Sequence, residues 1–408
     1  MRLNPFKALR PRPELAALVA APPYDVVSRQ EAVRLAASNP LSFLHVGRSD
    51  IDLPESLDPH DERVYARARE NLERLIADRT LLREDEPAIY LYRQRLGERS
   101  QVGVVGCVHV EDYERDVIKK HERTFRDKED DRTRHVLTLD AHAEPVFLMY
   151  RGRPEIERLT GEGMAAPPLY DFTAADGVRH TVWRVAEAGR YVEAFGAVPG
   201  AYVADGHHRS ASAWRAGKER RATDAHAGAD AEYNWFLAVL FPAEQLRILP
   251  YNRLVKDLNG QTAEEVLERL GRLGRLSGGA APVPPAPGIL CIYLDRRWHR
   301  LELDESSIDR SDPIRSLDVS LLQEQILAPI LGMGDPRTDQ RIDFVGGIRG
   351  TEELERRVDS GEMALAVSLY PTTVEQLMAV ADTGAIMPPK STWFEPKLVS
   401  GLFVHPFD

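Results

Sequence analysis

Short runs of alternating apolar and polar residues recur along the chain, interleaved with longer stretches in which apolar residues return every three or four positions. The first pattern buries one face of a strand and the second one face of a helix, so their alternation predicts a mixed α/β (α+β) fold. Residues 88–96 and 101–111 are β-rich runs separated by Gly97 to Ser100, which predicts a hairpin. Ser28 followed by Glu31 reads as a capping box that opens a helix, and residues 60–79 read as a longer amphipathic helix. Ala201 to Ala204 form a short apolar strand that ends at Asp205-Gly206, and residues 207–217 carry a helix-compatible pattern. A buried strand is predicted over 234–241, and Thr262 with Glu265 caps the next helix. Further on, strands are predicted over 288–294, 341–345 and 363–369. Helices are predicted over about 316–332, after an N-cap at Thr351, and from Thr373. No repeat of fixed period is visible.

Residues 277–288 interrupt this alternation, with seven of twelve positions Pro or Gly. Such a run is either a linker or a long surface loop. As a linker it divides the chain into an N-terminal α/β region over 1–276 and a C-terminal α/β region over 289–408. A length of 408 residues suits that division, at about 150 residues per domain.

Composition narrows the function classes. Lysine and arginine total 53 against 64 aspartates and glutamates, a formal charge of −11. An acidic chain is poorly suited to nucleic acid, which is held by basic stripes that release counterions. No apolar run is long enough for a membrane span, and the first residues lack the apolar core of a secretory signal, so a cytoplasmic protein is expected. The two cysteines, Cys107 and Cys291, lie in apolar strand-like runs and exclude a disulfide framework or a cysteine-based zinc ribbon.

Three segments carry candidate chemistry. In Ala201 to Ala211 a strand delivers Asp205 to a sheet edge, Gly206 permits a tight turn, and a helix begins almost at once. The free amides and positive dipole end of a helix N-terminus make a phosphate site, to which Arg209 adds a fork and Asp205 a base or a magnesium ligand. The plainer reading makes Asp205 a helix cap and leaves His207 and His208 as packing residues. Ile118 to His135 is a mixed-charge run containing Lys119, Lys120, His121 and Glu122, of a kind that ordinarily forms a solvated face. Met387 to Lys397 contains Pro388-Pro389-Lys390-Ser391-Thr392, which lacks the glycines of a P-loop but sets a lysine and two hydroxyls on a rigid loop. Two weaker signals are read first as structural: Tyr24-Asp25, after Pro22-Pro23, as a turn, with a place in a pocket as the alternative, and His180 as a core or interface histidine.

These segments also carry a resemblance. Ala20 to Ser28, Ser42 to Val46, Ile118 to Glu122, Ala204 to Arg209, Tyr251 to Arg253, Asp343 to Gly350 and Met387 to Lys397 resemble, nearly end to end, the bacterial and archaeal domain-of-unknown-function family 1015. Asp205-Gly206-His207-His208-Arg209 is also similar to the motif of the ParB and sulfiredoxin superfamily, where a Gly-x-x-Arg turn opens a helix that holds nucleotide phosphates. That superfamily includes free serine kinases with an Asp-Gly-His-Thr-Arg motif, whose aspartate corresponds to Asp205; here His208 stands in place of the threonine, and this chain is much longer.

The resemblance implies a ParB/sulfiredoxin-like nucleotide-binding core with extensive additional α/β elements. It implies a small-molecule kinase that moves a phosphoryl group from ATP or ADP, with Mg2+, to free L-serine to give O-phospho-L-serine. Asp205 and His207 are then the catalytic candidates. Gly206, His208, Arg209, Lys119, Lys120 and Lys390 hold the nucleotide, with Lys390 supplied by the C-terminal region, and Glu122 and His121 bind the substrate. Two rivals stand beside it. One is a metal-dependent phosphohydrolase with Asp205, His207 and His208 as ligands. The other is a ParB-like, nucleotide-dependent binding or switch protein, against which the acidic charge and the absence of a basic tail count.

Overall fold

The computed structural model describes residues 1–225, 228 and 230–408. The chain divides into two units, one formed by Met1–Leu246 with Pro396–Asp408 and the other by Arg247–Glu395.

The elements that frame the first unit are β1 (Leu3–Asn4), α1 (Glu62–Ala77), β2 (Tyr90–Leu96), β3 (Arg99–His109), β4 (Ile118–Lys119), α2 (Arg126–Leu139), β5 (Val146–Tyr150), β6 (Tyr170–Thr173), β7 (Arg179–Arg184), β8 (Ala201–Asp205), α3 (His207–Thr223) and β9 (Trp235–Pro242). Nine strands form one mixed sheet in the order β4-β8-β5-β9-β3-β2-β7-β6, with β1 paired to β3. β4 and β8 run parallel, as do β5 and β9, and the remaining pairs are antiparallel. The central strand β9 is a continuous apolar run because both its faces are covered. Phe236, Ala238 and Leu240 enter one core with Val104, Leu148 and Val203, while Leu237 and Val239 are fully buried on the other face. In α1 the buried positions Val64, Ala68, Leu72 and Leu75 recur at helical spacing, and the last three join a second core with Phe43, Leu44 and Leu139.

The second unit contains β10 (Tyr251–Val255), β11 (Gly274–Gly278), β12 (Ile289–Leu294), β13 (Arg297–Leu303), β14 (Ile342–Gly346) and β15 (Leu365–Ser368). They form an antiparallel sheet in the order β11-β13-β12-β15-β10-β14 around Leu254, Cys291, Tyr293, Trp298 and Ala366.

The hairpin, the capping boxes at Ser28 and Thr262 and the helix after Thr373 form as the pattern predicts. Thr351 precedes its helix in a helical conformation, and its hydroxyl makes no capping bond. The division expected at 277–288 is corrected. That run connects β11 to β12, two strands of one sheet, and the chain instead leaves the first unit after Leu246 and rejoins it at Pro396. The return is fixed by backbone pairing: Ser400 with Ala21, Val404 with Leu9, and His405-Pro406 with Ala141-His142. Cys107 and Cys291 are buried free thiols, and among the described residues no helix is long and apolar enough to cross a membrane.

Candidate functional site at the β8–α3 junction

Strand β8 ends in an irregularity. Val203 pairs with Leu148 and Asp205 with Phe147, so the register slips between them, and such bulges re-aim the side chain that follows. Gly206 then takes φ +98, a left-handed backbone that glycine adopts without strain. Helix α3 starts at His207 with no side-chain cap. The space beside Gly206 is also close: a Cβ there would lie 3.1 Å from the guanidinium carbon of Arg209. The sequence thus leaves an uncapped helix N-terminus directly after an acidic side chain.

Asp205 sits between two cations. Arg209 Nη2 donates to its Oδ2 at 3.1 Å, and Lys397 Nζ stands 3.5 Å from the same oxygen. Burial alone would raise the carboxyl's pKa, but Lys397 and Arg209 outweigh it and hold the group well below the usual carboxylate range. Lys397 is anchored through its backbone. Gln94, fully buried, donates its amide to the Lys397 carbonyl at 2.7 Å and accepts from Gln101 at 2.9 Å.

Arg209 differs from the exposed phosphate fork that its motif suggests. Its side chain is only 7% exposed, and its two terminal nitrogens are directed at protein acceptors: Nη1 at the Pro145 carbonyl, Nη2 at Asp205, with Asp25 3.7 Å away. Its Nε has no partner among the described residues. Burial would lower its pKa, but Asp25, Asp205 and Glu144 raise it. Beside it, burial pushes the Glu144 carboxyl up to about 7 against the pull of Arg209 and Arg132. Arg132 lies 4.2 Å from the ring centre of Tyr24. Arg132, Glu144 and Arg209 border a cavity of about 30 Å³, also lined by His135 and His142.

The histidines are neutral and engaged. The His121 amide donates to His207 Nε2 at 3.4 Å, and the Phe125 amide donates to His208 Nε2 at 3.1 Å. The rings of His121 and His207 meet edge to face at 4.4 Å. Burial takes His121 down to about 4 and His207 well below its ordinary value, and lowers His208 as well. These bonds occupy the lone pairs that the phosphohydrolase reading needs for a metal. Among the described residues, no three His, Cys, Asp or Glu side chains stand together so as to hold an ion.

The remaining predicted residues are placed as follows. Lys119 pairs with Tyr202 across β4 and β8, its Nζ 5.7 Å from that ring. Lys120 is ion-paired to Asp116 at 2.7 Å. Glu122 Oε2 is 3.7 Å from His207 Nδ1. His121 is 2% exposed, which suits a support for its neighbours better than contact with a substrate. Lys390 belongs to the second unit. The charged run after Phe125 is not simply a solvated face: in α2, Thr133 and His135 are buried and Arg132 is nearly so. Sequence reasoning missed Lys397, Glu144 and Arg132. Lys397 lies at the end of the Met387 to Lys397 segment, where Lys390 is the more conspicuous cation. Tyr24 and Asp25, read first as a turn, border Arg132 and Arg209.

Residues 3–320 match the model of the family described as "Protein of unknown function (DUF1015)". The chain belongs to the DUF1015 family. No curated protein matches the sequence of this DUF1015 member. Among solved structures it is similar to free serine kinase in complex with AMP, at 14% identity, covering 72% of this chain and 86% of that one, with a TM-score of 0.33. A variant of free serine kinase in complex with ADP gives 15% identity, coverage of 72% and 87%, and a TM-score of 0.32. SbnI with a C-terminal truncation, from Staphylococcus aureus, gives 13% identity, coverage of 74% and 87%, and a TM-score of 0.40.

The buried histidines give this DUF1015 chain a pH signature. His121, His135 and His180 are each lowered from 6.5 to about 4, so between those values the unfolded state binds more protons and stability falls as pH falls. Glu144 and Asp318, raised to about 7, act in the opposite sense over about the same window. His142 and His207, lowered further, add to the first group. The histidines outnumber the carboxyls, and each such shift is worth on the order of 3 kcal/mol. The urea midpoint of the first unfolding transition is therefore expected to drop between pH 7 and pH 4.5. A midpoint that rises would show that these rings are protonated in the fold.

Proposed function

We propose that this protein is a small-molecule kinase that transfers a phosphoryl group from ATP or ADP to the hydroxyl of free L-serine. The observation that carries the reading is the ionised carboxylate of Asp205, held between Lys397 and Arg209 at the uncapped N-terminus of the 17-residue helix α3. Phosphoryl transfer demands positioning and charge neutralisation more than covalent chemistry, and that is what the junction offers.

The first amides of α3, those of His207, His208 and Arg209, fit the phosphates of a nucleotide. With Asp205 kept as the base, Asp25, against Arg209, is the carboxylate available to magnesium, which ordinarily takes one or two carboxylates and reaches the rest of its ligands through phosphates and water. That ion would supply neutralisation of the developing phosphate charge. Asp205 would accept the serine hydroxyl proton. With two cations on it Asp205 is a weak base, so Lys397 matters twice. A phosphate anion draws the lysine ammonium toward itself, and Asp205 then recovers basicity where the hydroxyl arrives. Glu122, beside His207, would receive the substrate's amino group, with His207 and His121 setting its position. Lys119 and Lys120 would lend charge at the rim.

Incubating the purified protein with ATP or ADP, magnesium and pooled amino acids is expected to yield O-phospho-L-serine, identified by mass spectrometry. Nucleotide consumption without any phosphorylated amino acid would move the reading to a hydrolase, and no consumption of either nucleotide would end it.

A further inference from the structure

Among the described residues, Arg253 and Lys390 of the second unit have no counter-charge. Arg253, in β10, is 4% exposed. Burying a guanidinium costs several kcal/mol unless an anion compensates it. Here Nη1 donates to the Tyr251 carbonyl at 2.7 Å, Nη2 to the Pro389 carbonyl at 3.3 Å, and the Phe344 ring lies 4.6 Å from the guanidinium. All three partners are neutral, and among the described residues no carboxylate comes within ion-pair distance of Arg253. Burial accordingly pulls its pKa down to about 9. Arg209, buried in the first unit, shifts upward because Asp25, Asp205 and Glu144 surround it.

The bond to Pro389 brings the next residue to the same place. Lys390 Nζ is 5.5 Å from the ring of Tyr251, the residue whose carbonyl Arg253 holds. Lys390 follows two prolines and takes φ +55, a left-handed backbone uncommon for lysine, and it too has no carboxylate partner among the described residues. Tethering the 388–391 loop does not explain this arrangement, since a neutral donor such as glutamine would serve the two carbonyls without the cost of a buried charge.

We propose that Arg253 and Lys390 form a binding site for the phosphate group of a small molecule. With one N–H of each terminal nitrogen spent on a carbonyl, the guanidinium keeps its remaining N–H groups, and these together with the lysine's point charge match a tetrahedral dianion. A phosphomonoester carries about −1.5 to −2 at neutral pH, close to the charge of the pair, whereas a carboxylate would leave one cation unmatched. The chain as a whole is acidic, at −11, so its long-range field repels anions and binding must come from these local contacts. This site does not depend on the kinase reading.

The test titrates inorganic phosphate into the full-length protein by calorimetry, with acetate as the comparison anion. Saturable phosphate binding is expected, weakened about tenfold or more by Arg253→Gln and by Lys390→Ala. Should Arg253→Gln fail to fold, Lys390→Ala decides, because Lys390 is exposed and its truncation spares the core. Three results would overturn the proposal: no saturable binding at millimolar phosphate, binding lost only with Lys397→Ala, or acetate bound as tightly as phosphate.

Discussion

Asp205→Asn is expected to lower phosphoserine formation by about 10²–10⁴-fold while nucleotide affinity stays within a few-fold of wild type. An amide keeps the size of the carboxyl and can still accept the bond from Arg209, so the β8–α3 turn should hold. It cannot take a proton from a hydroxyl. It also no longer pairs with the ammonium of Lys397, which frees that group for phosphate and offsets any loss of affinity. Turnover beside calorimetric nucleotide binding separates the two effects. Near wild-type turnover would make Asp205 a structural partner of Arg209 and place the base elsewhere. A parallel loss of affinity and turnover would make it a nucleotide ligand instead. Lys397→Ala gives the complementary case, removing a phosphate contact while leaving the base, so its defect should lie mainly in affinity.

What the sequence revealed of this site is local, and what it concealed is long-range. The strand, the glycine turn and the helix over 201–223 are legible because each is decided by neighbours: an apolar run, a residue free to take φ +98, a stretch without breakers. The capping boxes at Ser28 and Thr262 and the helix from Thr373 are legible for the same reason. Lys397 is not, because it reaches Asp205 only when the chain returns to the first unit after Glu395, and no local pattern marks that return. The Pro/Gly run at 277–288 misleads for a related cause. It reports an irregular backbone, which a loop between β11 and β12 supplies as well as a linker does, whereas a boundary depends on which segments pack together. Arg209 shows a third limit. Its motif position was readable, but the acceptors that turn it inward, Pro145, Asp25 and Asp205, come from three separate segments.

That inward setting makes Arg209→Met the most destabilising single change expected at the site, at about 3–5 kcal/mol, because it removes the shared cation of a buried ionic cluster and leaves the carboxylates only partly compensated. Methionine roughly preserves the volume, so the loss is electrostatic rather than a cavity. Asp25, Asp205 and Glu144 all lose their shared cation. Without it the folded-state pKa values of Asp205 and Glu144 rise, and a raised carboxyl costs stability as pH increases through its titration. The destabilisation should therefore grow with pH. Glu144, already near 7 with Arg209 present, is pushed further up and is the group that sets the window. Urea unfolding of wild type and Arg209→Met at pH 6 and pH 8.5 tests this, with the larger difference expected at the higher pH. Adding Asp205→Asn to Arg209→Met should recover part of the loss, since one unpaired charge is then gone. A difference independent of pH, or no recovery in the double variant, would mean that Arg209 acts through its bond to Pro145 and through packing, and that Asp205 is kept ionised by Lys397 alone.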